Sequence, residues 1–191
     1  DLDAWHRLAL DGEFRRDAAG APATFAAYVE AEARLFDELN RRLYADAGAV
    51  DSAPYGRYAP GSPAARLALD GPGNRSAELR ADDARGAVLL LHGVSDAPYS
   101  LHAVGRALRS RGLHVVALRL PGHGTVPGEL MRVEWEDWDA AVALAARHAA
   151  TLAGPGRPLY IAGYSTGAAL ALMHSLKALD DATLPMPKRL F

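Results

Sequence analysis

The sequence predicts an α/β domain built on a mostly parallel sheet with helices on both faces. Three observations predict it. From Gly86 onward, strand-like and helix-like segments alternate. The candidate strands Ala87–Leu91, His114–Leu120 and Leu159–Ala162 are near-continuous apolar runs rather than alternating ones, as expected of strands buried on both faces. Each of the three runs directly into a loop that carries a histidine or a serine. In such sheets the site lies beyond the carboxyl ends of the strands.

Composition sets the bounds. The chain has 191 residues, half of them hydrophobic and 23% charged, with a formal net charge of −2. That is enough for one domain with a sizeable core, expected as a helical extension over residues 1–56 and an incomplete core over 57–191. The charge provides no basic field for nucleic acid. No apolar run is long enough to cross a bilayer, and Ala87–Leu91 reads as a buried strand. There is no cysteine, which excludes disulfides, thiolate metal sites and a cysteine nucleophile. No His, Asp or Glu spacing suggests zinc or calcium, so neither metal nor cofactor is expected. The chain opens on Asp1 and shows no signal peptide. The expectation is that an upstream segment was removed or left out, which keeps cytoplasmic, exported and anchored locations all open.

The elements follow in order. Residues 1 to about 56 read as helical. From Phe25, apolar Phe25, Tyr28, Val29, Phe36, Leu39 and Leu43 fall on one helix face, with Thr24 as N-cap and Gly48 as stop. Residues 51–63, rich in Pro, Gly, Ser and Tyr, form a loop. Arg66–Asp70 and Ser76–Arg80 are short strands joined through Gly71-Pro72-Gly73-Asn74 as a hairpin. Tyr99–Arg111 is a helix with Leu101, Val104 and Leu108 inward and Gly112 as its stop. Glu134–Leu152 is a helix that buries Trp135, Trp138, Val142, Ala145 and Leu152. Thr166–Leu179 is a helix, and Lys188–Phe191 begins another strand, so the domain is expected to lack its last strands.

The decisive segment is Leu159-Tyr160-Ile161-Ala162-Gly163-Tyr164-Ser165-Thr166-Gly167, a strand running through G-x-S-x-G into a helix. A serine on so sharp a turn sits in strained backbone, and side chains at Gly163 or Gly167 would collide with neighbouring elements. The turn lifts the Ser165 hydroxyl clear of the sheet and aims a helix N-terminus, with its free N–H groups, at the same point.

Leu91-His92-Gly93-Val94-Ser95-Asp96 follows the apolar strand. Acyl transfer needs two N–H donors converging on the developing oxyanion, one from the residue after the nucleophile and one from a neighbouring loop. Thr166 provides the first, and the Val94 backbone is the candidate for the second, with Gly93 permitting close approach. His92 reads as a hydrogen bonder that shapes this loop. Leu118-Arg119-Leu120-Pro121-Gly122-His123-Gly124-Thr125 forms a tight loop on the same crevice, in which His123 reads as an ordered loop residue.

His-Gly-Val-Ser-Asp, Pro-Gly-His-Gly-Thr and Gly-Tyr-Ser-Thr-Gly, in that order, resemble the α/β-hydrolase superfamily. Within it the chain is similar to the esterase, monoacylglycerol-lipase and serine-aminopeptidase-like branch over about residues 86–191. Trp135, Asp137 and Trp138 also look like that branch, although physically they read as a helix start with core tryptophans. The resemblance implies that Ser165 is the nucleophile, that the Val94 and Thr166 amides form an oxyanion hole, and that the substrate is a small acyl ester. Amide or peptide hydrolysis at the same serine remains an alternative, as does a non-catalytic fragment that binds a partner or apolar ligand.

The expected order is Ser, then Asp or Glu, then His. Only 26 residues follow Ser165, with His174 the sole histidine among them. It falls nine residues along the helix, about 13 Å from the serine end, too far to be the base. Asp180 and Asp181 read as solvated helix-end residues. His92 and His123 are loop-structuring, and His6, His102, His114 and His148 fall on helices or a strand. The acid and base are therefore expected beyond Phe191, and the chain by itself is expected to be inactive.

Overall fold

The computed structural model describes residues 4–45 and 72–191. Gly48, the 51–63 loop, the strand Arg66–Asp70, Gly71 and the division at residue 56 all lie outside them.

Five strands, β1 (Ala77–Leu79), β2 (Gly86–Leu91), β3 (Leu113–Leu118), β4 (Leu159–Gly163) and β5 (Arg189–Leu190), form one sheet in the order β1-β3-β2-β4-β5. β1 runs antiparallel to β3; every other pair is parallel. The order requires the chain to step outward from β2 to β3 and then cross back over β2 to reach β4. Such a reversal of winding opens a crevice at the carboxyl ends of β2 and β4. Leu91 pairs with Gly163 in register, so the loops leaving the two strands begin at the same level.

Among the described residues the α-helices are α1 (Phe25–Ala45), α2 (His102–Arg109), the single turn α3 (Pro127–Leu130), α4 (Trp135–Ala153) and α5 (Thr166–Asp180). Strand residues alternate between two apolar layers. Val88, Leu90 and Val115 pack with Leu101 and Leu108 on the α2 side. Ala87, Leu89, Leu91, Val116, Leu118 and Ile161 pack with α4 and with Leu170 and Ala171 of α5 on the other. Because β2 is covered on both faces, all six of its residues are buried.

Some expectations need correction. Residues 8–24 are turns and irregular chain, not helix. Val29, Val104 and Trp135 are exposed rather than inward. On α2 the inward position belongs to Gly105, where a Cβ would stand 3.3 Å from Leu90 and 3.4 Å from Val115. The helix lies so close to the sheet there that only glycine faces it comfortably. Trp135, in the first turn of α4, instead presents its ring to the Lys177 ammonium, 5.4 Å away.

Thr24 does cap α1, its hydroxyl accepting from the Ala27 N–H at 3.2 Å. Phe25 and Tyr28 join the main core, while Leu35, Phe36, Leu39 and Leu43 pack on Leu10 and Val126. The irregular segment before α1 has no ladder to satisfy its N–H groups, and buried backbone donors must find acceptors. Carboxylates serve instead. Leu10 N–H donates to Glu129 at 2.8 Å, Asp11 and Gly12 donate to Glu38 at 2.9 and 3.0 Å, and Arg16 donates to Asp137 at 2.8 Å. The same Asp137 accepts from the Glu134 N–H at 3.0 Å and so starts α4.

Candidate active site

Ser165 sits between β4 and α5 with φ +52° and ψ −116°, in the left-handed region that a side chain adopts only where the surroundings enforce it. The enforcement is visible. A Cβ at Gly167 would lie 2.1 Å from the Leu91 carbonyl oxygen, and one at Gly163 would lie 2.4 Å from the Gly167 backbone. The elbow is thus clamped between its own strand and β2, with the Tyr164 N–H donating to the Leu91 carbonyl at 3.0 Å. The result leaves Ser165 and Tyr164 exposed while Gly167 is buried.

The β2 loop lies directly beside this serine. A Cβ at Gly93 would stand 3.1 Å from the Tyr164 ring and 3.5 Å from the Ser165 Cβ. Gly93 accepts from the Asp96 N–H at 3.3 Å, closing a turn over Val94 and Ser95, where Ser95 takes φ +61°. Val94 is exposed. Among the described residues neither the Val94 nor the Thr166 N–H has an acceptor, and the Ser165 hydroxyl has no hydrogen-bond partner. One exposed hydroxyl beside two uncommitted amides is an arrangement that can attack a carbonyl carbon and hold the negative oxygen that results.

His92 is fully committed. Its Nε2 receives the Leu120 N–H at 3.1 Å, so the proton is on Nδ1, which donates to the Gly93 carbonyl at 2.8 Å. That tautomer leaves no lone pair free for a serine proton. The ring braces the β2 loop against the β3 loop. His123 lies behind it, its Nδ1–H donating to the Pro121 carbonyl at 2.9 Å. Its ring meets His92 and Trp138 edge-on, at 5.0 and 5.5 Å between centroids. The His174 Nε2 donates to the Pro185 carbonyl at 3.1 Å on the far part of α5. The structure therefore brings Ser165, Thr166, Gly163, Gly167, Gly93 and Val94 together, with His92 and His123 as buried supports. Among the described residues no cluster of three or more His, Asp or Glu could hold a metal, and no helix is long and apolar enough to cross a membrane.

Burial lowers the pKa of His92 to about 4 from 6.5, and burial also lowers those of His123 and His174. Each binds its proton less readily folded than unfolded. The contribution of these histidines to stability is therefore complete above about pH 6.5 and falls as pH drops toward 4, with His92 alone accounting for about 3 kcal/mol of the loss. Urea midpoints measured across this range are expected to decline steadily; a flat profile would show the histidines to be solvated.

Sequence reasoning passed over Arg119, which is 1% exposed at the end of β3. Its guanidinium forms a two-pronged pair with Glu13 at 2.9 and 3.1 Å and reaches Glu32 at 3.1 Å. Burial opposes its charge, but the carboxylates of Glu13 and Glu32 more than offset this and hold its pKa well above the ordinary value. The signals were available. Arg119 interrupts an apolar strand end, and Glu32 falls on the apolar face of α1 between Tyr28 and Phe36.

The serine aminopeptidase, S33 family model matches residues 82–183, more than half of the chain. No curated protein matches. Among solved structures the chain is similar to one described with the metagenome-derived lipolytic enzymes LipS and LipT, at 29% identity and a TM-score of 0.49, covering 57% of this chain and 42% of that one. It is similar to TT1662 from Thermus thermophilus, at 21% identity and a TM-score of 0.48, covering 65% and 52%. It is also similar to an epoxide hydrolase from Vigna radiata, at 23% identity and a TM-score of 0.43, covering 55% and 32%. The chain thus spans about half or less of the length of these structures. By its family match, its sheet order and its strand–serine–helix elbow, the chain belongs to the serine aminopeptidase, S33 family of α/β-hydrolases.

Proposed function

We propose that the complete protein is a serine hydrolase that cleaves a small carboxylic ester through an acyl-enzyme on Ser165. The observation that carries the reading is the strained, exposed Ser165 beside two amides with no other acceptor. A histidine and a carboxylate contributed by residues following Phe191 would complete the machinery, since both nitrogens of His92 are occupied and His174 is bonded to Pro185.

The steps follow. The histidine removes the Ser165 hydroxyl proton as the oxygen bonds to the ester carbon. The carbonyl electron pair moves to oxygen, where the Val94 and Thr166 N–H groups hold it. On collapse, the carbon–alkoxide bond breaks and the leaving alcohol takes the proton back from the histidine. Water then repeats the sequence on the acyl-enzyme and releases the acid.

Amide cleavage at the same serine is the second reading, favoured by the family's aminopeptidase description. The two differ in the leaving group. Assayed in parallel on the full-length protein, p-nitrophenyl acyl esters are expected to turn over faster than amino-acid p-nitroanilides at matched concentration. The reverse preference would establish the peptidase reading, and turnover of neither would remove both.

A further inference from the structure

We propose that Glu13, through Arg119, is a positioning residue for the oxyanion-binding loop, so that the segment preceding α1 sets the catalytic competence of Ser165. The inference rests on the reading of Ser165 as nucleophile and goes beyond it. Residues 4–45 lie outside the stretch matched by the family model, yet they grip the loop after β3, which braces the site through His92.

The connection is continuous. Glu13, itself buried, holds the Arg119 guanidinium with both carboxylate oxygens. Arg119 in turn donates to the His123 carbonyl at 2.9 Å. The Tyr28 hydroxyl of α1 donates to the Arg119 carbonyl at 2.7 Å. Ser76 accepts from the Arg119 N–H at 2.9 Å, while its own hydroxyl is tied to Glu32 at 2.8 Å. The backbone N–H, the backbone carbonyl and the side chain of one residue are thereby all fixed by groups upstream of β2. The next residue, Leu120, donates its N–H to His92 Nε2, and His92 Nδ1–H fixes the Gly93 carbonyl. Gly93 precedes Val94 and lies against Ser165. A donor must be held within a fraction of an ångström of where charge develops, and His92 can hold Gly93 only as firmly as Leu120 holds His92. Glu13 is the ionic anchor at the far end, brought in by an irregular segment whose own N–H groups are tied to Glu129, Glu38 and Asp137.

The test uses the full-length enzyme and p-nitrophenyl butyrate, with kcat expressed per site titrated by a fluorophosphonate. Glu13→Gln is expected to lower kcat at least tenfold with KM within twofold of the parent. Its affinity for a trifluoromethyl ketone, which presents a tetrahedral oxyanion, should weaken by a similar factor. Unchanged kcat per titrated site, with merely fewer sites, would make Glu13 a folding residue only and overturn the proposal. Should Glu13→Gln not fold, Tyr28→Phe keeps the core ring and removes one tie to Arg119. A threefold or larger fall in kcat at unchanged KM is then expected, and parental kcat would overturn the proposal. Ser165→Ala is run alongside. Full activity there would sink the hydrolase reading and this inference together, whereas an inert Ser165→Ala with parental kcat in the positioning variants would sink this inference alone.

Discussion

Ser165→Ala in the full-length protein is expected to lower ester hydrolysis by at least about 10⁴-fold while leaving the fold intact. The fold should survive because the exposed hydroxyl has no structural hydrogen bond among the described residues. Strain argues the same way, since the strained backbone at φ +52° is enforced by the flanking glycines and by β2, and serine and alanine both carry a Cβ there. Circular dichroism and a thermal melt should therefore superimpose on those of the parent. Turnover should disappear because without the oxygen there is no acyl-enzyme, and the two amides alone can only polarise a substrate carbonyl. Retention of more than a few per cent of activity would show that the reaction runs elsewhere.

Gly167→Ala is expected to do the second-largest damage, by displacement instead of deletion. The new methyl would meet the Leu91 carbonyl oxygen at 2.1 Å and the His92 carbonyl oxygen at 2.7 Å. All of these are backbone atoms, so no side chain can swing aside. The N-terminus of α5 must retreat by about 1 Å from β2, a clash of the overpacking kind that costs about 3 kcal/mol. Ser165 and the Thr166 amide would move with the helix while Gly93 and Val94 stay with β2. A misplacement of about 1 Å in a catalytic constellation costs roughly 10²-fold in rate. A lower urea midpoint together with a kcat reduced about 100-fold is therefore expected. Thr166→Ala, which removes only a side chain and keeps its N–H, should stay near the parental rate. A normal rate in Gly167→Ala would mean that the elbow tolerates opening.

The parts of the molecule legible in the sequence are those determined locally. The apolar run of β2, the Thr24 cap and Gly163, opposed by the Gly167 backbone, each follow from residues a few positions apart. Gly167, by contrast, was legible only through the G-x-S-x-G pattern, because the atoms that exclude a side chain there belong to Leu91 and His92. Continuous apolar strands implied a parallel sheet, but not the register that matches Leu91 with Gly163 and places the Val94 loop beside Ser165. The N-terminal segment was not legible because its conformation is decided from far away. Glu129 is 119 residues from Leu10, and Asp137 is 121 residues from Arg16. Carboxylates in those positions look like ordinary surface charge. Arg119, which closes an apolar strand, did carry a signal, but its partners Glu13 and Glu32 lie 106 and 87 residues away, so the pairing itself was not legible. The exposure of Val104 has a different origin, since periodicity sees an apolar stripe but not how closely α2 approaches the sheet at Gly105.

Ser165 as the point of covalent attachment is the most direct matter to measure. The full-length protein, treated with a fluorophosphonate, digested and analysed by mass spectrometry, should carry one adduct, on the peptide containing Gly163-Tyr164-Ser165-Thr166-Gly167. Blocked hydrolysis with the adduct on any other residue, or undiminished hydrolysis with Ser165 fully labelled, would contradict the account.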